Sequence, residues 1–190
     1  MSDDNTSRPR LTLGHATVAV QDVDRMVAFY CDVLGFHVTN RGAPMPGAPD
    51  MAFLSQDPTA HHQIVLVGGS ESSQHQFVLA DHLAFRVETL DDLRSIATRL
   101  ADAGVDNTIP ISHGNAWSVY FNDPEGNGLE CFVDTPFHVA QPYGESLDLG
   151  QSNEAIELWT RDQLQDQPEF QPFDRWKADF AAKLSDAGQG

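Results

Sequence analysis

Three residues of this chain have the types and settings for metal chemistry: His15, His82 and Glu130, each in or beside a short strand-like run. Two histidines and one carboxylate make the ligand set that suits non-haem Fe(II), because three protein ligands on one side of the ion leave open positions on the other. A lone histidine at the start of a strand is ordinarily a surface or satisfied core residue. The spacing of these two lifts them out of that class.

The stretch from Gly14 to Phe36 and the stretch from Asp81 to Val105 follow one plan, with His15 and His82 in register. Each histidine is followed by an alternating run, a break, residues at helical spacing and a glycine stop. In the first copy Val23, Met26, Val27, Tyr30, Val33 and Leu34 form an apolar stripe, Asp22 suits an N-cap and Gly35 a stop. In the second, Leu90, Leu93, Ile96, Ala97 and Leu100 form the stripe, Thr89 and Asp92 are spaced as a capping box, and Gly104 ends it. Strands are predicted after the first helix at Phe36 to Thr39, Ala52 to Ser55 and Gln63 to Val67. After the second they are predicted at Val105 to Ile111, Ser118 to Phe121 and Leu129 to Asp134.

The order is thus βαβββ, written twice, in modules of about 11–69 and 80–135 within a domain of 11–138. Paired modules related by a pseudo-twofold bring matching positions together. The repeat offset of 67 that carries His15 onto His82 also carries His62 to position 129, beside Glu130.

Alternation along a strand separates two faces. Ala16, Val18 and Val20 lie opposite His15, Thr17 and Ala19; Leu83, Phe85 and Val87 lie opposite His82, Ala84 and Arg86; Leu129, Cys131 and Val133 lie opposite Glu130 and Phe132. Every candidate ligand therefore shares the face turned away from the helices. By the same rule Ser118 and Tyr120 line the polar face, Trp117 belongs to core or interface, and His61 points away from its neighbour His62. The turn from Asn122 to Gly128 reads as a glycine-containing hairpin.

Residues 1–10 read as a flexible terminus, and 139–190 as an extension with amphipathic helices at Glu154 to Thr160 and Phe173 to Leu184. Phe137, His138 and Tyr143 fall where that extension leaves the domain and are candidates to border a pocket. The 190 residues suffice for one core. With 28 acidic against 11 basic residues, the formal charge of −17 argues against nucleic acid and anionic membranes as partners. No apolar run reaches the roughly 18 residues of a membrane span. Two cysteines, Cys31 and Cys131, suggest no disulfide framework, so a cytoplasmic protein is expected.

The segments LGHATVAVQDVDRMVAFYCDVLGF, DHLAFRV and YFNDPEGNGLECF resemble the paired signature of the vicinal oxygen chelate superfamily, which includes glyoxalase I, bleomycin-resistance proteins and type I extradiol dioxygenases. The resemblance implies an α+β fold in which two βαβββ modules form a half-open eight-stranded barrel, with metal ligands at His15, His82 and Glu130. At position 62 the isomerases of that superfamily carry a second glutamate, whereas His61-His62-Gln-Ile-Val-Leu is similar to the segment in which extradiol dioxygenases keep an acid/base histidine. Tyr120 resembles their substrate-side tyrosine, and His113 a further histidine behind it. The resemblance thus implies Fe(II), or Mn(II) in its place, with a catecholic substrate and O2, in a homodimer or higher assembly. A glyoxalase-like isomerase or lyase and a drug-binding resistance protein are the alternatives.

Overall fold

The computed structural model describes residues 12–43, 45, 47–69 and 82–187; the expected flexible terminus and the start of the second module lie outside these. In the first module β1 (Ala16–Ala19) leads to α1 (Val23–Ala28), then β2 (His37–Gly42), β3 (Met51–Ser55) and β4 (Ile64–Val67). In the second β5 (His82–Arg86) leads to α2 (Leu90–Asp102), then β6 (Ile109–Ser112), β7 (Ala116–Asn122) and β8 (Gly128–Asp134). The strands pair in the orders β1-β4-β3-β2 and β5-β8-β7-β6. In each module the first strand runs parallel to the last and the remaining pairs are antiparallel. The result is an α+β fold of two βαβββ sheets with no closed barrel.

Local chemistry explains the helices. The Asp22 side chain accepts from Arg25 N–H at 3.0 Å, and Val23 and Met26 turn inward. From Phe29 to Val33 the helix widens into a π turn, in which Leu34 N–H reaches Phe29 C=O at 3.4 Å and Tyr30 is fully buried. Gly35, at φ +82°, then takes the left-handed conformation that ends the segment. The box predicted at α2 is present: Asp92 N–H donates to Thr89 Oγ1 and Thr89 N–H to Asp92 Oδ2. Leu90, Leu93 and Leu100 bury its inner face, each such side chain contributing about 1.5–3 kcal/mol.

The core gathers the faces predicted by alternation. Val18 and Val20, Ala52 and Leu54, Val119 and Phe121, and Leu129, Cys131 and Val133 share it with the helices. Trp117 also belongs there. Its indole N–H donates to Thr160 Oγ1 at 2.8 Å, tying β7 to the extension.

β9 (Phe137–His138) ends the domain, and the extension contains β10 (Glu145–Ser146), α3 (Asn153–Leu164), β11 (Gln171–Pro172) and α4 (Phe173–Ala187). Ile156, Thr160 and Leu164 are buried along α3. β10 adds itself to β6, lengthening the second sheet by one short strand, and β9 pairs with β11. Two sequence expectations need correction. The strand predicted from Val105 begins only at Ile109, because Val105–Thr108 connects α2 to the sheet. His61 and His62 precede β4 in irregular backbone, so strand alternation does not govern them.

Candidate active site

Each ligand candidate lies on the side of its strand turned away from the helices, and Glu130 is buried there. His15 immediately precedes β1, His82 opens β5 and Glu130 lies within β8. Parallel pairing sets Ala84 beside Glu130, and antiparallel pairing sets Tyr120 directly across from it. His82 Nε2 approaches Glu130 Oε2 to 3.1 Å. That distance is a hydrogen-bonding one, and two donor atoms sharing one ion would also stand about this far apart.

The other half lies on the first module. The rings of His15 and His62 are 4.6 Å apart between centroids. Phe53 meets His62 edge-on at 5.2 Å. The His61 ring also stays on this side, its Nδ1 at 3.0 Å from His62 Nδ1, contrary to the expectation that it would point away. Burial, then the charges of His15 and His61, hold His62 below the ordinary imidazole range, so the neutral ring is favoured. Among the described residues no three His, Cys, Asp or Glu side chains form a ready cluster for an ion. His15 with His62 and His82 with Glu130 form two separate pairs, and the donor types of the three candidates fit a divalent ion of the Fe(II) or Mn(II) kind.

Behind Glu130 runs a chain of polar contacts. Tyr120 Oη lies 2.9 Å from His113 Nε2, and the Tyr120 ring packs edge-on against His82 at 5.1 Å. On its other side His113 Nδ1 is 2.8 Å from Tyr143 C=O. A carbonyl only accepts, so Nδ1 carries the hydrogen, and in the neutral ring Nε2 accepts from the Tyr120 hydroxyl. Burial, followed by the Glu130 carboxylate, pushes the Tyr120 phenol well above its ordinary range. Tyr120 consequently remains a phenol at neutral pH.

Alternation misses two features of this site. Phe53 is one, although its register opposite Val65 places it on the same face as Thr17. The other is the Tyr143 carbonyl, a backbone contact that no pattern of side chains reveals. Arg86, which alternation sets on the face of His82, has its guanidinium 4.8 Å over the Phe132 ring and pairs with Asp134. Cys131 faces the opposite way from its neighbour Glu130. Burial and the Glu130 charge push its thiol up to about 12, which rules out a thiolate role near neutral pH. His138 lies apart, stacked on Trp176 at 4.8 Å with Nε2 at 3.3 Å from Glu169, so it serves the extension rather than the site.

Two βαβββ sheets, each with a histidine at the start of its first strand, define a class, and comparison with known proteins agrees. The model of the Glyoxalase/Bleomycin resistance protein/Dioxygenase superfamily matches residues 12–131, and the chain belongs to that superfamily. Biphenyl-2,3-diol 1,2-dioxygenase 3 of Rhodococcus globerulus is 34% identical over 133 residues, covering 68% of this chain and 65% of that protein. The match thus spans just under two thirds of that relative's length. Biphenyl-2,3-diol 1,2-dioxygenase 2 of the same organism is 29% identical over 159 residues, covering 75% of this chain and 79% of that one. Among solved structures, a glyoxylase/bleomycin resistance protein/dioxygenase domain from Frankia sp. EAN1pec superposes with a TM-score of 0.55 at 23% identity, covering 66% of this chain and 99% of that one, a likeness of fold. No helix among the described residues is long and apolar enough to cross a membrane.

Proposed function

We infer that this chain is an extradiol dioxygenase that opens the ring of a catechol-type substrate with O2, using Fe(II) held by His15, His82 and Glu130. The observation that carries this reading is the histidine at position 62: its imidazole lies 4.6 Å from that of His15 between ring centroids, and by resemblance it stands where an isomerase of the superfamily carries a carboxylate. The names of the two Rhodococcus relatives support it. The ion would supply the Lewis acidity and the electron path between a chelated diol and O2.

The chain's own residues handle position and protons. Tyr120 donates to His113 Nε2, which leaves its oxygen able to accept from a substrate hydroxyl. A proton taken from that hydroxyl is passed on as the phenol releases its own to His113. His62, neutral near pH 7, takes up and returns a proton on the opposite side, through Nε2, the ring nitrogen outside its contact with His61. Phe53, edge-on to His62, adds an apolar ring beside that histidine.

Loading the protein with Fe(II) under anaerobic conditions, adding a panel of catechols and then admitting air is expected to give yellow ring-cleavage products, identified by mass spectrometry. Silence across the whole panel with iron bound at one ion per chain would overturn the reading.

A further inference from the structure

The extension does more than pack on the domain. Between β6 and the segment Gln141–Ser146 lies an open cavity of about 940 Å³, lined by Ile109, Ile111, His113, Pro142, Tyr143 and Glu145 among others. This volume is of the size that holds a small organic ligand. Register fixes its place relative to the site: Ile109 pairs with Tyr120 and Ile111 with Ser118, so both isoleucines share the face of Tyr120 and Glu130. Ile109 is 41% exposed there, an uncovered apolar side chain at the rim.

The outer wall is held in place. Gln141 Nε2 donates to His113 C=O at 2.8 Å and its Oε1 accepts from Tyr143 N–H at 3.1 Å. Ser146 then pairs with Ile111, and Leu147 N–H donates to Pro110 C=O at 3.2 Å. A wall fixed before binding costs less ordering when a ligand arrives. No described lining residue is Lys or Arg, and the charged one is Glu145. Burial, then the Glu145 carboxylate, raise the Tyr143 phenol above its ordinary range, which keeps that group neutral too. Arg86 shares this sheet face, but it lies on β5 at the far edge of the sheet and is paired with Asp134.

We propose that this cavity is a subsite for an uncharged, apolar substituent on the substrate ring and that it rejects a carboxylate there. The proposal takes the position of the ring hydroxyls from the dioxygenase reading, but the selectivity belongs to the cavity itself. An aryl or alkyl group gains burial against Ile109, Ile111 and Pro142, whereas an anion finds no Lys or Arg among the described lining residues and meets the field of a chain of charge −17.

Calorimetric titration of the metal-free protein at pH 7 with 2-phenylphenol, phenol and 2-hydroxybenzoate tests this without turnover. 2-Phenylphenol is expected to bind at least about tenfold more tightly than phenol, and 2-hydroxybenzoate more weakly than phenol. Ile109→Lys, at an exposed rim position where folding is spared, is expected to close the gap between the aryl and carboxylate ligands about fivefold or more; Tyr143→Ala, with its fold checked by circular dichroism, is expected to weaken the aryl ligand alone. Absence of 2-phenylphenol binding at millimolar concentration, equal binding of the three ligands, or indifference to both substitutions overturns the proposal. Selective binding without ring cleavage of any diol would remove the dioxygenase reading and leave the subsite. Ring cleavage of catechol with no preference for an apolar substituent would do the reverse.

Discussion

His62 owes its protonation state to its neighbours. A partly desolvated imidazole beside two further imidazoles is disfavoured as a cation, so its pKa lies below the ordinary 6.5. A proton-accepting role needs the neutral ring, which is present above that lowered pKa and lost as the pH falls through it. The acidic limb of kcat/KM assigned to His62 is therefore expected below pH 6.5. His62→Ala should remove that limb and slow turnover by about 10²-fold, with iron content unchanged by metal analysis. Loss of iron would make His62 a ligand and favour the isomerase. At Tyr120 the raised phenol pKa alters the role that resemblance suggests: a tyrosinate base is not available near neutrality, so the work passes through the hydrogen bond to His113. Tyr120→Phe is expected to retain iron while lowering kcat/KM for diols. Unchanged kinetics would remove Tyr120 from the reaction.

Among the elements, those with strong periodicity were legible and those set by tertiary contacts were not. The caps at Asp22 and Thr89, both inward stripes and the parity of the strands bearing His82 and Glu130 follow from local side-chain chemistry, and the structure agrees. The π turn after Ala28 left no sequence signal, because its apolar residues satisfy an ordinary helix as well. The His61–His62 geometry escaped because both residues lie before β4, where alternation has no hold. β10 escaped too: a two-residue strand arises from pairing with an edge, not from propensity. The junction of extension and domain yields a prediction. A Cβ on Gly114 would stand 2.6 Å from Val139 Cγ2 and 3.1 Å from Leu164 Cδ2. Gly114→Ala is thus expected to destabilise the fold by about 1–3 kcal/mol through overpacking, read as a lower Tm. Because Gly114 follows His113, activity should fall further than that loss of stability explains. An unchanged Tm would mean that α3 yields without cost.

Across the whole molecule, a site divided between two modules needs something to hold the halves in register. Internal repetition in the sequence foretold that His15 and His82 are equivalent, but equivalence does not bring them together. One device for that lies in the turn between β7 and β8. There Asp123, buried, accepts from the N–H groups of Glu125 and Asn127 at 2.9 Å each and fixes the loop. The Glu125 carboxylate so presented accepts from Gln21 N–H at 2.6 Å and Asp22 N–H at 2.7 Å, where β1 passes into α1. Arg25 adds a bond to Pro124 C=O at 2.9 Å. This latch spans the modules, with one end on the strand that follows His15 and the other on the hairpin that carries Tyr120 and Glu130. Its bonds are near solvent, so Glu125→Ala should cost only about 1–2 kcal/mol in unfolding free energy. Iron retention is the sharper readout. An ion held from both modules requires their register, whereas either pair alone does not, so the variant is expected to lose iron to a chelator at least several-fold faster than the native protein at a temperature where both remain folded. Equal rates of loss would show that the modules keep their register without the latch, through core contacts such as Phe36 against Phe85 at 5.5 Å.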